Sequence, residues 1–278
     1  MRPLPTVFRR GVSVLVAALT AVLLLPASAS AASAPNSMAS MGDSITRGFN
    51  ACGWYTDCTY RSFSTGGSTL VDSHYLRILA KNPAISGHNY NDARSGAKAS
   101  AMPGQASTAV SEKVQYVTIL IGANDACTSS ESTMTSVTTY RSYIDSALRT
   151  LKSGLPNARI AVISIPDIYR LWYIGHTNLT ALSVWETYGI CQSMLDRAWS
   201  TSSTDEARRQ RVRQRVIAYN TQLAQACAAY GPKCDFDDNA VFNYRFALSQ
   251  VSGWDYFHPS TSGQAALARV SYAAGFNW

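Results

Sequence analysis

The chain has 278 residues, enough for one large domain or two small ones, and 46% of them are apolar, 10% aromatic and 15% charged, a balance that excludes a disordered chain. The formal net charge of +7 is mild. The only dense basic run, residues 208–215, interleaves with Val212, Val216 and Ile217 at helical spacing, so it reads as a solvated helix face rather than a nucleic-acid surface.

Residues 1–34 carry the features of a signal peptide. Arg2, Arg9 and Arg10 supply a positive start, residues 12–25 an apolar run too short for a membrane span, and Pro26 ends it. Ala27-Ser28-Ala29 and Ala29-Ser30-Ala31 offer the small residues a signal peptidase accepts, which sets cleavage between Ala29 and Ala34. Loss of those arginines lowers the net charge to about +4. The alternative is an uncleaved anchor helix. No later stretch approaches the roughly 20 apolar residues of a spanning helix, so the expectation is a secreted, extracellular protein with no stable membrane span, acting as a monomer.

From 35 to 278 no linker, repeat or low-complexity stretch divides the chain, so one domain is expected. The pattern predicts a strand at 37–41, a helix at 68–80 and a strand leading into Ala93. The clearest strand is 114–121, a run of the kind found when both faces are covered. A helix at 136–152 carries Val137, Tyr140, Ile144, Leu148 and Leu151 on one stripe, stops near Gly154 and Pro156, and hands over to a strand at 159–165. Helices at 179–195 and 205–230, a short strand near Ala240 and a last helix from Ser262 complete the pattern. The alternation predicts an α/β fold, a three-layer α/β/α sandwich with a central parallel sheet, whose working loops lie beyond the carboxyl ends of the strands.

An even count of six cysteines in an exported chain implies disulfides. The count alone leaves many pairings open. Proximity favours Cys52–Cys58 and Cys227–Cys234, which leaves Cys127–Cys191 as the long-range bridge. A metal site is disfavoured, because no Cys-x-x-Cys occurs and His74, His88, His176 and His258 do not fall into zinc-ligand spacing.

The polar residues that follow the strands form a set: Gly42-Asp43-Ser44, Gly96, Gly122-Ala123-Asn124-Asp125, and near the end Asp255 and His258. In a parallel sheet these loops meet at one edge and assemble the parts of an acyl-transfer site. A serine needs a base that takes its proton at neutral pH, and His258 is the candidate for Ser44. Asp255, three residues earlier, is placed to orient that imidazole and stabilise its charged form. Gly96, Asn124 and the Ser44 backbone N–H are the candidate oxyanion donors.

In this order the blocks resemble the SGNH hydrolases, also called the GDSL esterases and lipases, of the secreted bacterial type. Gly42-Asp43-Ser44-Ile45-Thr46-Arg47-Gly48 is similar to that family's first block, with Ile45 where a leucine often stands. Ser95-Gly96-Ala97 resembles the second, Gly122-Ala123-Asn124-Asp125 the third, and Asp255-Tyr256-Phe257-His258-Pro259 the last. The resemblance implies a flavodoxin-like α/β/α fold, the triad Ser44, Asp255 and His258, an oxyanion hole of Ser44, Gly96 and Asn124, and no metal or organic cofactor. It does not choose among lipid, phospholipid, short acyl and polysaccharide acetyl esters.

Two further groups bear on the substrate. Trp54 and Tyr55, between Cys52 and Cys58 on the loop after Ser44, are candidate substrate-binding residues. Tyr169, Trp172, Tyr173, Trp185 and Tyr188 could line an acyl pocket, although core packing is the simpler reading. The expectation is a hydrolase of lipid-like or short acyl and aryl esters, with a polysaccharide acetyl esterase or a phospholipase as the alternative. A non-catalytic secreted ligand-binding module and an acyltransferase are the competing classes.

Overall fold

Short strands whose residues are buried on both sides build the centre of the molecule. A computed structural model describes residues 1–4, 6 and 33–278, and the apolar run of the expected signal peptide lies outside them. Residues 32–278 form one compact unit. Its strands are β1 (Met38–Gly42), β2 (Asn89–Asn91), β3 (Tyr116–Leu120), β4 (Arg159–Val162) and β5 (Cys234–Phe236). Its helices are α1 (His74–Leu79), α2 (Met102–Ser111), α3 (Ala123–Ala126), α4 (Val137–Gly154), α5 (Ile168–Gly175), α6 (Leu179–Thr187), α7 (Gln192–Leu195), α8 (Ser203–Tyr230), α9 (Ala240–Asn243) and α10 (Thr261–Ala273).

The strands pair in parallel in the order β2-β1-β3-β4-β5, so strand order reverses between β1 and β3. The crevice beyond the carboxyl ends at such a reversal is where open α/β sheets place their sites. Alternate strand residues serve different layers, as the period of two requires. Ala39, Met41, Val117 and Ile119 join the large core that includes Ala106 of α2, Ile144 and Leu151 of α4 and Val216 and Leu223 of α8. Met38, Tyr116 and Ala161 meet α1 and the C-terminal aromatics Tyr272, Phe276 and Trp278. The α/β/α sandwich expected from the alternation is what forms.

Local chemistry explains the departures from the predicted elements. The 68–80 helix is cut to His74–Leu79, because Asp72 is left-handed at φ 51° and Ser73 caps a new start by accepting from Leu76 N (3.2 Å). The 179–195 helix is two pieces, broken where Gly189 and Cys191 take φ of 59° and 47°. The strand placed near Ala240 is wrong: the strand is β5, and Asp237 accepts from Val241 N (3.0 Å) to begin α9 instead. Helices α2 and α5 are additions to the predicted elements. The basic run is also corrected, since Arg208, Arg209, Arg213 and Arg215 bind carbonyls or carboxylates of surrounding loops rather than standing in solvent.

The cysteines pair as proximity suggested, Cys52–Cys58, Cys127–Cys191 and Cys227–Cys234. Among the described residues no helix is long and apolar enough to cross a membrane.

Two carboxyls lie together beside β2. Burial first, and then their mutual repulsion, push Glu112 up to about 7, and burial pushes Asp92 up to about 6. Both hold protons more tightly folded than unfolded, so stability falls as pH rises from near 4 through 7. Glu112 also stands at the C-terminal end of α2, where negative charge is unfavourable. Glu112→Gln is therefore expected to raise the melting temperature at pH 8 by about 3 °C and to leave it nearly unchanged at pH 4, checked by thermal melts across that range.

Candidate active site

The turn after β1 is shaped by glycine and a buried carboxylate. A Cβ on Gly42 would overlap Thr46 Oγ1 and the Leu120 carbonyl. Gln105 of α2 grips that glycine from both sides, accepting from Gly42 N (2.7 Å) and donating to Gly42 O (2.9 Å). Asp43, fully buried, accepts from Ile45 N (2.9 Å) and so closes the turn that presents Ser44. Burial pushes the Asp43 carboxyl up to about 7.

The structure brings Ser44, His258 and Asp255 into one hydrogen-bonded chain. Ser44 Oγ lies 2.7 Å from His258 Nε2, and His258 Nδ1 lies 2.5 Å from Asp255 Oδ2. A carboxylate can only accept, so Nδ1 carries the proton and Nε2 is left to accept from the hydroxyl. Asp255 is almost wholly buried, which alone would raise its pKa. The bond and charge of His258 and the N–H groups of Phe257 and His258 outweigh that and hold it below the usual carboxylate range.

Sequence reasoning missed what holds this chain in place. Asn50, buried and left-handed at φ 65°, donates from Nδ2 to Asp255 Oδ2 (2.7 Å). Asn is the non-glycine residue best suited to that backbone, which is the one signal that could have marked it. Trp185, a buried core residue, donates from Nε1 to Tyr256 O (2.9 Å) and fixes the loop that carries the histidine. Ser252 N donates to His258 O (2.8 Å) across the base of the same loop.

The candidate oxyanion residues stand on the segments that follow β1, β2 and β3. The loop after β2 is fastened to the end of β1 by Arg94 N donating to Gly42 O (3.2 Å), and it carries Gly96 at φ 79°. Asn124, on α3, donates one Nδ2 hydrogen to Ala97 O (3.0 Å), which locks it against that loop. Among the described residues the backbone N–H groups of Ser44 and Gly96 have no partner. Neighbouring Asp125 is pushed above its ordinary pKa by burial and accepts from Ala99 N (2.9 Å), tying α3 to the start of α2.

Trp54 and Tyr55 are exposed. Trp54 stacks on Trp254 with centroids 6.3 Å apart, while Tyr55 meets Phe49 edge-on at 5.1 Å, and Phe49 in turn lies 4.9 Å from the His258 ring. Asp57 of the same disulfide loop pairs with Arg47 (2.9 Å) and accepts from Ser95 Oγ, so the loop is tied to the glycine segment. Of the later aromatics, Trp172 and Trp185 are core, whereas Tyr173 and Tyr188 are exposed.

Comparison with known proteins places this geometry in context. The model of the GDSL-like lipase/acylhydrolase family matches residues 38–270. A curated relative, phospholipase B1, membrane-associated, of Mus musculus, is 32% identical over 137 residues, which are 41% of this chain and 9% of the mouse protein. Two solved structures share the fold. A protein described as a GDSL-like lipase of Parabacteroides merdae is 18% identical with a TM-score of 0.53, over 85% of this chain and 94% of that one. A catalytic mutant of an acetylxylan esterase from Geobacillus stearothermophilus is 17% identical with a TM-score of 0.53, over 87% of this chain and 95% of that one.

Proposed function

The chain belongs to the GDSL-like lipase/acylhydrolase family, and from that premise we propose that it is a carboxylic ester hydrolase, a secreted serine esterase acting through an acyl-enzyme on Ser44. The observation that carries this reading is the unbroken chain from Ser44 Oγ through His258 (2.7 Å) to Asp255 (2.5 Å).

In the first half-reaction His258 Nε2 takes the Ser44 proton as Oγ attacks the ester carbon. Asp255 holds the imidazole in the required tautomer and stabilises its positive charge. The carbonyl oxygen becomes an oxyanion and meets the N–H groups of Ser44 and Gly96 and the second Nδ2 hydrogen of Asn124, donors already fixed before reaction. Collapse expels the alcohol, which leaves with the proton from His258. Water then enters, His258 takes its proton, and the same steps release the acid and restore Ser44. Trp54 and Tyr55 form the rim that the incoming ester meets.

Secretion is supported by the positively charged, apolar start of the chain and by the three disulfides, which persist only in an oxidising compartment. The reading is tested by reacting the purified protein with a fluorophosphonate ester and mapping the adduct by mass spectrometry. Modification confined to the peptide containing Ser44, lost when His258 is replaced by alanine, is the expected result. Labelling at another residue, or none while ester hydrolysis proceeds, would overturn it.

A further inference from the structure

A cleft of about 600 Å³, its open mouth included, is lined in part by residues that directly flank those of the Ser44 site in the chain. Its near wall consists of chain neighbours of the site residues: Ile45 follows Ser44, Ala123 precedes Asn124, and Phe257 and Pro259 bracket His258. Its far wall is the stripe Ile168, Leu171 and Ile174 on α5, a stretch of about 9 Å along the helix. This helix is the one that sequence reasoning did not see, and its aliphatic residues, not its aromatic ones, face the space.

The surface inside is almost wholly apolar. The polar side chains that reach it are each hydrogen-bonded to protein partners. Asp167 is paired with Arg213 (2.8 Å), Arg170 Nε donates to Phe246 O (2.9 Å), and Gln250 accepts from Ala247 N (2.9 Å) while donating to the Tyr244 hydroxyl (3.0 Å). Such a wall suits an alkyl chain and offers little to sugar hydroxyls, whose own hydrogen bonds to water would be lost on entry.

The geometry points to this cleft as the acyl-chain subsite, taking straight aliphatic chains longer than acetyl, with Leu171 and Ile174 as the residues that set the accepted length. The inference rests on the Ser44 reading above. Ile45, the residue after the nucleophile, lines the cleft, so an acyl chain running from Ser44 past Ile45 enters it, and each methylene that does so leaves water for a surface of methyl groups and ring carbons.

The test is kcat/KM for p-nitrophenyl acetate, butyrate, hexanoate and octanoate, in which only the acyl group changes, beside methyl to hexyl acetates, in which only the alcohol changes. In the acyl series the wild type is expected to gain about fourfold per methylene until the far wall is reached. Leu171→Trp, at a half-buried position, narrows the cleft and is expected to lower the octanoate-to-acetate ratio at least tenfold, whereas Ile174→Ala moves the optimum to longer chains. A wild-type series that is flat from acetate to octanoate overturns the subsite even if neither variant folds. So does a gain that appears only when the alcohol is lengthened. Failure of the underlying reading looks different, because hydrolysis would then survive Ser44→Ala at every chain length.

Discussion

Ser44→Ala is expected to lower kcat for ester hydrolysis by about four to six orders of magnitude while the protein remains folded. The loss is large because no other group in the cluster can form the acyl-enzyme. The residual rate would come from the oxyanion donors and from binding, which the substitution leaves in place. The fold persists because the Ser44 hydroxyl bonds only to His258 among the described residues, while the turn around it depends on Gly42, Gln105 and Asp43. Circular dichroism and the melting temperature should match the wild type, and KM should change far less than kcat. A folded variant with full activity would remove Ser44 from the mechanism.

The second large effect concerns stability. Arg209 is fully buried on α8, yet it is charged. Its Nη2 donates to Ser200 O (2.6 Å), its Nε lies 3.3 Å from Glu206 Oε2, and its guanidinium stacks 4.1 Å above the ring of Trp172. Arg209→Ala removes every one of these contacts, leaves the Ser200 carbonyl without its donor and opens a cavity under Trp172. A cost of about 3–5 kcal/mol follows, a fall in melting temperature on the order of 10 °C. Arg211, two residues along and paired with Glu131 (2.7 Å), is mostly exposed. Arg211→Ala should therefore melt close to the wild type, since a solvated ion pair exchanges one set of favourable contacts for another. Equal melting of the two variants would mean that the buried arginine contributes no more than a surface one.

That pair of arginines shows what spacing leaves out of the basic run. Residues 208–215 have the spacing of a polar helix face, and spacing alone cannot report what packs against it. The segments that reach the run come from around Thr135, Asp167, Gln192 and Ser200, distant or turned back in sequence, and they bring carbonyls and carboxylates that bind four of its arginines and bury Arg209. The same limit hides the role of α5, because the spacing of its aliphatic stripe cannot report that the stripe lines a cleft rather than core. It also hid Asn50, whose importance depends on Asp255, 205 residues away.

The alternating α/β architecture, the strand ends that carry the site, the family resemblance and the favoured pairing of the cysteines are legible in the amino-acid order. These follow from local periodicity and from residue types that chemistry demands at short spacing: glycine beside a serine, an aspartate three before a histidine, two short cysteine intervals. Which groups hold the triad residues in place, where the helices break, which charges are buried, and that an apolar cleft runs past Ile45 emerge only in the folded chain. Those depend on contacts between residues far apart in the chain. Burial, hydrogen-bond satisfaction and left-handed backbone positions are settled by what the rest of the fold brings near, and a one-dimensional pattern does not contain it.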